Sequence, residues 1–243
     1  CGIDENKRLT TEQINNAKNL LDILLKEDET LKRLKKVQEL YDYLHLLKLN
    51  TDQYSSIGVL EKLYSLKTSK RAGWENRGIK NGESIADHIY GAYLIGLLYL
   101  PENVPDISDT DYSEYSKEKI LNMILLHDIG ESYTGDIISS QKTDKEKFEE
   151  QQITRAIFMT GTYEEVASLE YYKKIWEEFV KNSTINARLA HEVDKIENLV
   201  QILIYRKSGE KIDDYNEWKA YLRSRLVTGL GKSIYEFIEN SLI

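Results

Sequence analysis

Two prolines in 243 residues leave almost nothing in this chain that forbids a helix, because proline is the residue that removes a helical N–H and clashes with the turn before it. Glycine, the other breaker, occurs thirteen times. Apolar residues recur at threes and fours along most of the sequence and no run alternates, so the expected fold class is all-α. Thr10 and Gln13 have capping-box spacing ahead of Ile14, Ala17, Leu20, Leu21 and Leu24. A second stripe follows through Leu31, Leu34, Val37, Leu40, Leu44 and Leu47. Residues 1–50 are therefore expected to form a helical hairpin ahead of the main domain. The core is expected over 51–210, with C-terminal helices over 211–243 packing on it.

Within the core, an amphipathic stretch at 57–66 leads into a loop, 67–82, that concentrates Lys67, Lys70, Arg71, Arg77 and Lys80. Ser84 is placed to cap a helix running to about 100. A long polar, acidic connection covers 101–116. Further helices are expected at about 117–128, 145–159, 163–180, 184–207, 214–227 and 232–242.

Charge and cysteine content restrict the chemistry. Thirty-three Lys and Arg against forty-one Asp and Glu give a net charge of −8, a field that repels polyanions and makes a nucleic-acid polymer a poor partner. The basic loop at 67–82 instead suits one small phosphate. The longest apolar stretch, 89–100, is too short to span a bilayer, so no membrane partner is expected and the chain reads as cytoplasmic. It begins at Cys1 with no initiator Met, and the expectation is that residues upstream have been trimmed. Cys1 is the only cysteine, which excludes disulfide scaffolds and cysteine-built zinc modules. Any metal must be held by carboxylates and by His45, His88, His127 or His191.

Three predicted helices each place a metal-ligating residue among apolar neighbours. His88 lies in an apolar helix, where a lone histidine would ordinarily be a satisfied core residue. His127-Asp128 ends the apolar run 120–126, and by itself would be a polar helix end. Asp194 interrupts the stripe Leu189, Val193, Ile196, Leu199, Val200 and Leu203, where an unpartnered carboxylate is costly to bury. One divalent ion would satisfy all of them together. Two imidazoles and two carboxylates favour six-coordinate Mn, Co, Fe or Ni, with Mg or Zn also compatible.

The order His, His-Asp, Asp on successive helices resembles that of the HD-domain metal-dependent phosphohydrolases. The segments Arg71-Ala-Gly-Trp74-Glu-Asn-Arg77, Glu83-Ser-Ile-Ala-Asp-His88, His127-Asp-Ile-Gly-Glu131 continuing to Asp136, and Glu192-Val-Asp194-Lys-Ile-Glu197 resemble the blocks of the HD-domain 5′-deoxynucleotidase branch over about 57–207. Gly130-Glu131, where a cyclic-dinucleotide phosphodiesterase would have Gly-Lys, argues against that branch. The resemblance implies an HD-domain helical bundle, metal ligands His88, His127, Asp128 and Asp194, catalytic or substrate-positioning carboxylates Glu131 and Asp136, and a homodimer. With two histidines spent as ligands, a single metal ion is expected.

The corresponding activity is release of phosphate from 5′-deoxynucleoside monophosphates. Glu131 would orient or deprotonate a water, and Asp136 would protonate the departing oxygen or hold the sugar. Arg71 or Arg77 would neutralise the phosphate. Trp74 is either a wall for the sugar or base, or a core aromatic. His191 stands where relatives often carry lysine, three residues before Asp194 and on its helical face. It is either a pH-dependent cation near the phosphate or a surface histidine, while His45 reads as structural. The alternatives are a dNTP triphosphohydrolase with the same metal core, and a non-catalytic nucleotide-binding helical module.

Overall fold

The computed structural model describes residues 56–104, 112–138, 141–159 and 163–242, and the expected hairpin at 1–50 lies outside them. Ten helices occur among the described residues, with no strand: α1 (Ser56–Ser65), α2 (Ala72–Glu75), α3 (Ile85–Tyr99), α4 (Lys117–Leu126), α5 (Glu131–Thr134), α6 (Asp144–Ile157), α7 (Tyr163–Lys181), α8 (Ile185–Lys207), α9 (Tyr215–Ser224) and α10 (Gly229–Leu242). The molecule is all-α. No helix among the described residues is long and apolar enough to cross a membrane.

Local chemistry starts these helices. Ser84 accepts the Asp87 N–H while Asp87 accepts the Ser84 N–H, a reciprocal box that begins α3. Thr143 and Glu146 form the same box before α6, and the hydroxyls of Ser116 and Thr184 cap α4 and α8. Inside the basic loop lies α2, one short turn that the helical periodicity did not indicate. It is held by an isolated bridge between Lys70 and Ser84, and by Trp74, only 1% exposed.

Helix α8 is the axis of the fold. It packs against α3, α4, α7, α9 and α10, and Leu189, Val193, Ile196, Leu199 and Leu203 are buried along it. The buried Glu192 accepts the N–H groups of Val227 at 2.5 Å and Thr228 at 2.7 Å. That carboxylate ties the start of α10 to the core, so the C-terminal helices are built onto α8. Between α4 and α5, Gly130 carries the chain against α6, where an added Cβ would fall 2.3 Å from Thr154 Oγ1. The close approach requires glycine there.

Candidate active site

Helices α3, α4 and α8 bring His88, His127, Asp128 and Asp194 together at one side of a cleft of about 440 Å³. His88 is completely buried. Its Nδ1 lies 2.5 Å from Glu197 Oε2 and its Nε2 lies 3.1 Å from Asp194 Oδ1. His127 Nδ1 lies 2.7 Å from the Ile124 carbonyl, which can only accept, so that nitrogen carries the hydrogen and Nε2 presents its lone pair. His127 Nε2 is 2.9 Å from Asp128 Oδ2. Neither Nε2 has a hydrogen-bond partner although both are buried.

That arrangement tests whether a metal ion fits. Donor atoms of His88, His127 and Asp128 lie within 4.8 Å of one another, and Asp194 reaches the same His88 nitrogen. Each imidazole is fixed from behind, by Glu197 or by a carbonyl, as metal-bound histidines characteristically are. Lone pairs and carboxylate oxygens facing one another without hydrogen bonds need a shared positive charge, and a divalent cation supplies one. The set of two imidazoles and two carboxylates fits such an ion.

The electrostatics of the surrounding groups follow from the same crowding. Burial and Arg71 pull the His88 pKa down, but Glu197 and Asp194 outweigh them and carry it up to about 10. Burial would raise Asp128, yet His127, Arg71 and His88 hold it well below the usual carboxylate range. Asp194 is likewise held low, chiefly by Lys195 and His88 against the effect of burial. Glu131, 5% exposed, is pushed up to about 10 by burial and by Asp128 and Asp136. Its Oε1 is 3.6 Å from Lys142 Nζ, and its Oε2 has no hydrogen-bond partner.

The cations at the cleft do different jobs. Arg71 faces the acids, with Nη1 3.4 Å from Asp128 Oδ2 and Nη2 3.4 Å from Asn198 Oδ1. Arg77 also lines the cleft but is held to α9: Nη1 donates to the Gly73 carbonyl, Nε lies 3.2 Å from Asp214 Oδ1, and the guanidinium stacks 3.7 Å over the Trp218 ring. Lys195 lines the cleft with Nζ 2.7 Å from Asp194 Oδ2. Asp136 accepts the Ala72 N–H at 2.6 Å, which pins the basic loop to the α5 turn. Trp74 is chiefly a core aromatic. Its Nε1 donates to Glu83 at 2.8 Å and its ring meets Tyr205 and Trp218 edge-on, although it also lines the cleft.

His191 takes neither of its expected places. It is half-buried and stacked on Phe179, with ring centroids 3.9 Å apart, while Nε2 donates to the Phe179 carbonyl at 3.0 Å. It does not line the cleft, because α7 lies over this part of α8. Burial lowers its pKa below 6.5, so its contribution is complete above about pH 6.5 and is lost as pH falls through the lower folded value. His191→Ala is expected to cost about 2 kcal/mol through the lost stack and hydrogen bond. His191→Phe is expected to flatten the loss of Tm between pH 7.5 and 5. Thermal melts across that range measure both.

Several groups at the site carry no signal in helical periodicity: Lys195, Asn198, Lys142 and the α9 residues Asp214, Glu217, Trp218 and Tyr221, of which all but Lys142 line the cleft. Only Lys195, directly after Asp194, stands inside a recognisable motif.

A family model described as HD domain matches residues 63–230, extending past the motif-bearing stretch into α9 and the start of α10. The 5′-deoxynucleotidase HDDC2 of Dictyostelium discoideum is 30% identical over 159 residues, 65% of this chain and 82% of that protein. The 5′-deoxynucleotidase hdd1 of Schizosaccharomyces pombe is 31% identical over 162 residues, 65% of this chain and 76% of the other. Among solved structures, a conserved hypothetical protein from Pyrococcus furiosus has a TM-score of 0.56 at 26% identity, covering 76% of this chain and 99% of that one. A structure titled a predicted metal-dependent phosphohydrolase, from Magnetospirillum magnetotacticum, shares the fold with a TM-score of 0.52 at 18% identity, covering 79% of this chain and 96% of its own.

Proposed function

Because the chain belongs to the HD-domain family, we propose that it is a metal-dependent 5′-deoxynucleotidase, hydrolysing 5′-deoxynucleoside monophosphates to the nucleoside and inorganic phosphate. The observation that carries this reading is the pair of buried, unpartnered Nε2 atoms of His88 and His127 set against Asp128 and Asp194 at the edge of a cleft. The relatives named 5′-deoxynucleotidase support the substrate class. His88, His127, Asp128 and Asp194 would hold the metal ion. When bound, a divalent cation supplies a water of lowered pKa and neutralises charge on the phosphoryl oxygens.

The chain's own residues do the rest. Arg71 stays protonated, since the surrounding Asp128, Asp194 and Asp136 outweigh burial and raise its pKa, and it meets the phosphate as a fixed cation. Without a metal ion Glu131 keeps its proton, its pKa being raised to about 10; the charge of a bound cation would favour its carboxylate form, which takes a proton from the attacking water as the oxygen–phosphorus bond forms. The bond from phosphorus to the sugar 5′ oxygen breaks, and that oxygen gains, by way of solvent, the proton that Glu131 took from the water. Asp136, anchored through Oδ2 to Ala72 N–H, keeps Oδ1 for the sugar end of the substrate. Asn198 holds Arg71 in place and also donates to the Asp194 carbonyl at 2.8 Å.

The test is phosphate release from a panel of dNMPs, NMPs and dNTPs with Mn, Co, Mg or Zn, or with chelator. Inorganic phosphate from dNMPs in the presence of a divalent ion is expected. Triphosphate released from dNTPs with dNMPs refused would reassign the substrate, and no turnover with any ion would reduce the protein to a binding module.

A further inference from the structure

Helix α9 lies beyond the motif-bearing part of the chain, yet it forms one wall of the catalytic cleft. Trp218 and Leu222 are its buried face, against the core. Glu217 and Tyr221, exposed and one turn apart, share the neighbouring face and line the cleft. Tyr221 marks the end nearer the metal ligands, since the chain leaving that end of α9 is tied at Val227 and Thr228 to Glu192, two residues before Asp194. Asp214, one turn before Glu217, marks the other end through its pairing with Arg77. Glu217 thus lies about 6 Å along the helix beyond Tyr221, roughly the width of a sugar.

The polar groups at that outer end differ in availability. Arg77 and Asp214 occupy each other, whereas Glu217 has no hydrogen bond or ion pair with any described residue. The free group is acceptor-only at neutral pH. Beside it Tyr221, 49% exposed, offers a flat ring of the kind on which bases stack. A carboxylate so placed accepts from an amino group and repels a carbonyl oxygen.

We infer that Glu217 is a specificity-determining residue, reading the base edge over Tyr221, and that the enzyme prefers deoxynucleotides whose base carries an exocyclic amino group over their oxo counterparts. The inference rests on the nucleotidase reading. The phosphate sits at the metal ligands, the sugar passes Tyr221, and the C4 amino group of cytosine, or the C6 amino group of adenine, donates to Glu217. In uracil or hypoxanthine the same position holds a carbonyl oxygen that faces the carboxylate without a proton between them. Sites built to pair a substrate polar group discriminate strongly against analogues that lack it.

Two matched pairs isolate that group: dCMP against dUMP, and dAMP against dIMP. The wild-type enzyme is expected to favour the amino member about tenfold in kcat/KM, the effect of one charge-assisted hydrogen bond at a partly exposed site. Glu217→Gln should bring both ratios close to one, and Glu217→Lys should invert them by giving the carbonyl a donor. Circular dichroism and thermal melts report whether each variant folds. Equal kcat/KM for both members in the wild type overturns the proposal whatever the variants do, as do ratios that persist in folded Glu217→Gln and Glu217→Lys. If dNMPs are turned over without this discrimination, only the role of Glu217 fails. If no dNMP is turned over, the nucleotidase reading fails and takes this inference with it.

Discussion

Asp194→Ala is expected to lower kcat/KM for a 5′-deoxynucleotide by at least about 10³-fold, and chelation of the wild-type protein should bring phosphate release down to background. The expectation follows from what Asp194 joins. Its Oδ1 faces His88 Nε2 at 3.1 Å and its Oδ2 holds Lys195 Nζ at 2.7 Å, so alanine removes the oxygen proposed to hold the metal and releases the cation beside it. Four carboxylates line the metal end of the cleft: Asp128, Glu131, Asp136 and Asp194. A phosphate dianion entering among them needs more positive charge than Arg71 and Lys195 provide. Asp194→Asn, which keeps the shape and one oxygen, should lose less metal than alanine but most of the activity. Metal content by elemental analysis, measured on the same samples as phosphate release, ties the two losses together. Activity that survives both chelation and Asp194→Ala overturns the metal mechanism.

The parts of the molecule legible in the sequence are those set by nearby residues. Ser84 caps α3 through Asp87, three positions on, and Thr184 caps α8 through Ala187. Both signals are complete within one turn, and the helices start where the sequence places them. The ligand candidates were legible for a related reason: a histidine or aspartate amid apolar neighbours must find a partner, and α3, α4 and α8 each carry one. What escaped depends on distant segments meeting. Arg71 and Arg77 lie in one loop with similar neighbours, and only the arrival of Trp218 and Asp214 from α9 sets Arg77 apart, holding it to that helix while Arg71 faces the acids. The same event makes Glu217 and Tyr221 part of the cleft. His191 shares a face with Asp194 by spacing, but Phe179 of α7 claims its ring. The short α2 has too few residues for periodicity to register, and it exists because Trp74 is drawn between Tyr205 and Trp218.

Glu131→Gln is expected to lower kcat by about 10²- to 10⁴-fold, the range for loss of a positioned general base, while the protein retains its metal. Glutamine preserves the side chain's volume and its place behind Asp128, so a purely structural role would leave the rate nearly intact. The same substitution should move stability the other way. Burial, Asp128 and Asp136 push the Glu131 pKa up to about 10 from an ordinary 4.5, with Lys142 opposing them. A carboxyl raised in the folded state contributes stability that is complete below about pH 4.5 and is lost as pH rises towards 10. In chelator-treated protein, then, the wild type should lose Tm between pH 5 and 9 more steeply than Glu131→Gln, and the variant should be the more stable of the two at pH 8. The pairing of a large loss of kcat with a gain in Tm separates a base held at the cost of stability from a residue that merely fills space. A Glu131→Gln enzyme that turns over deoxynucleotides at the wild-type rate removes Glu131 from the chemistry.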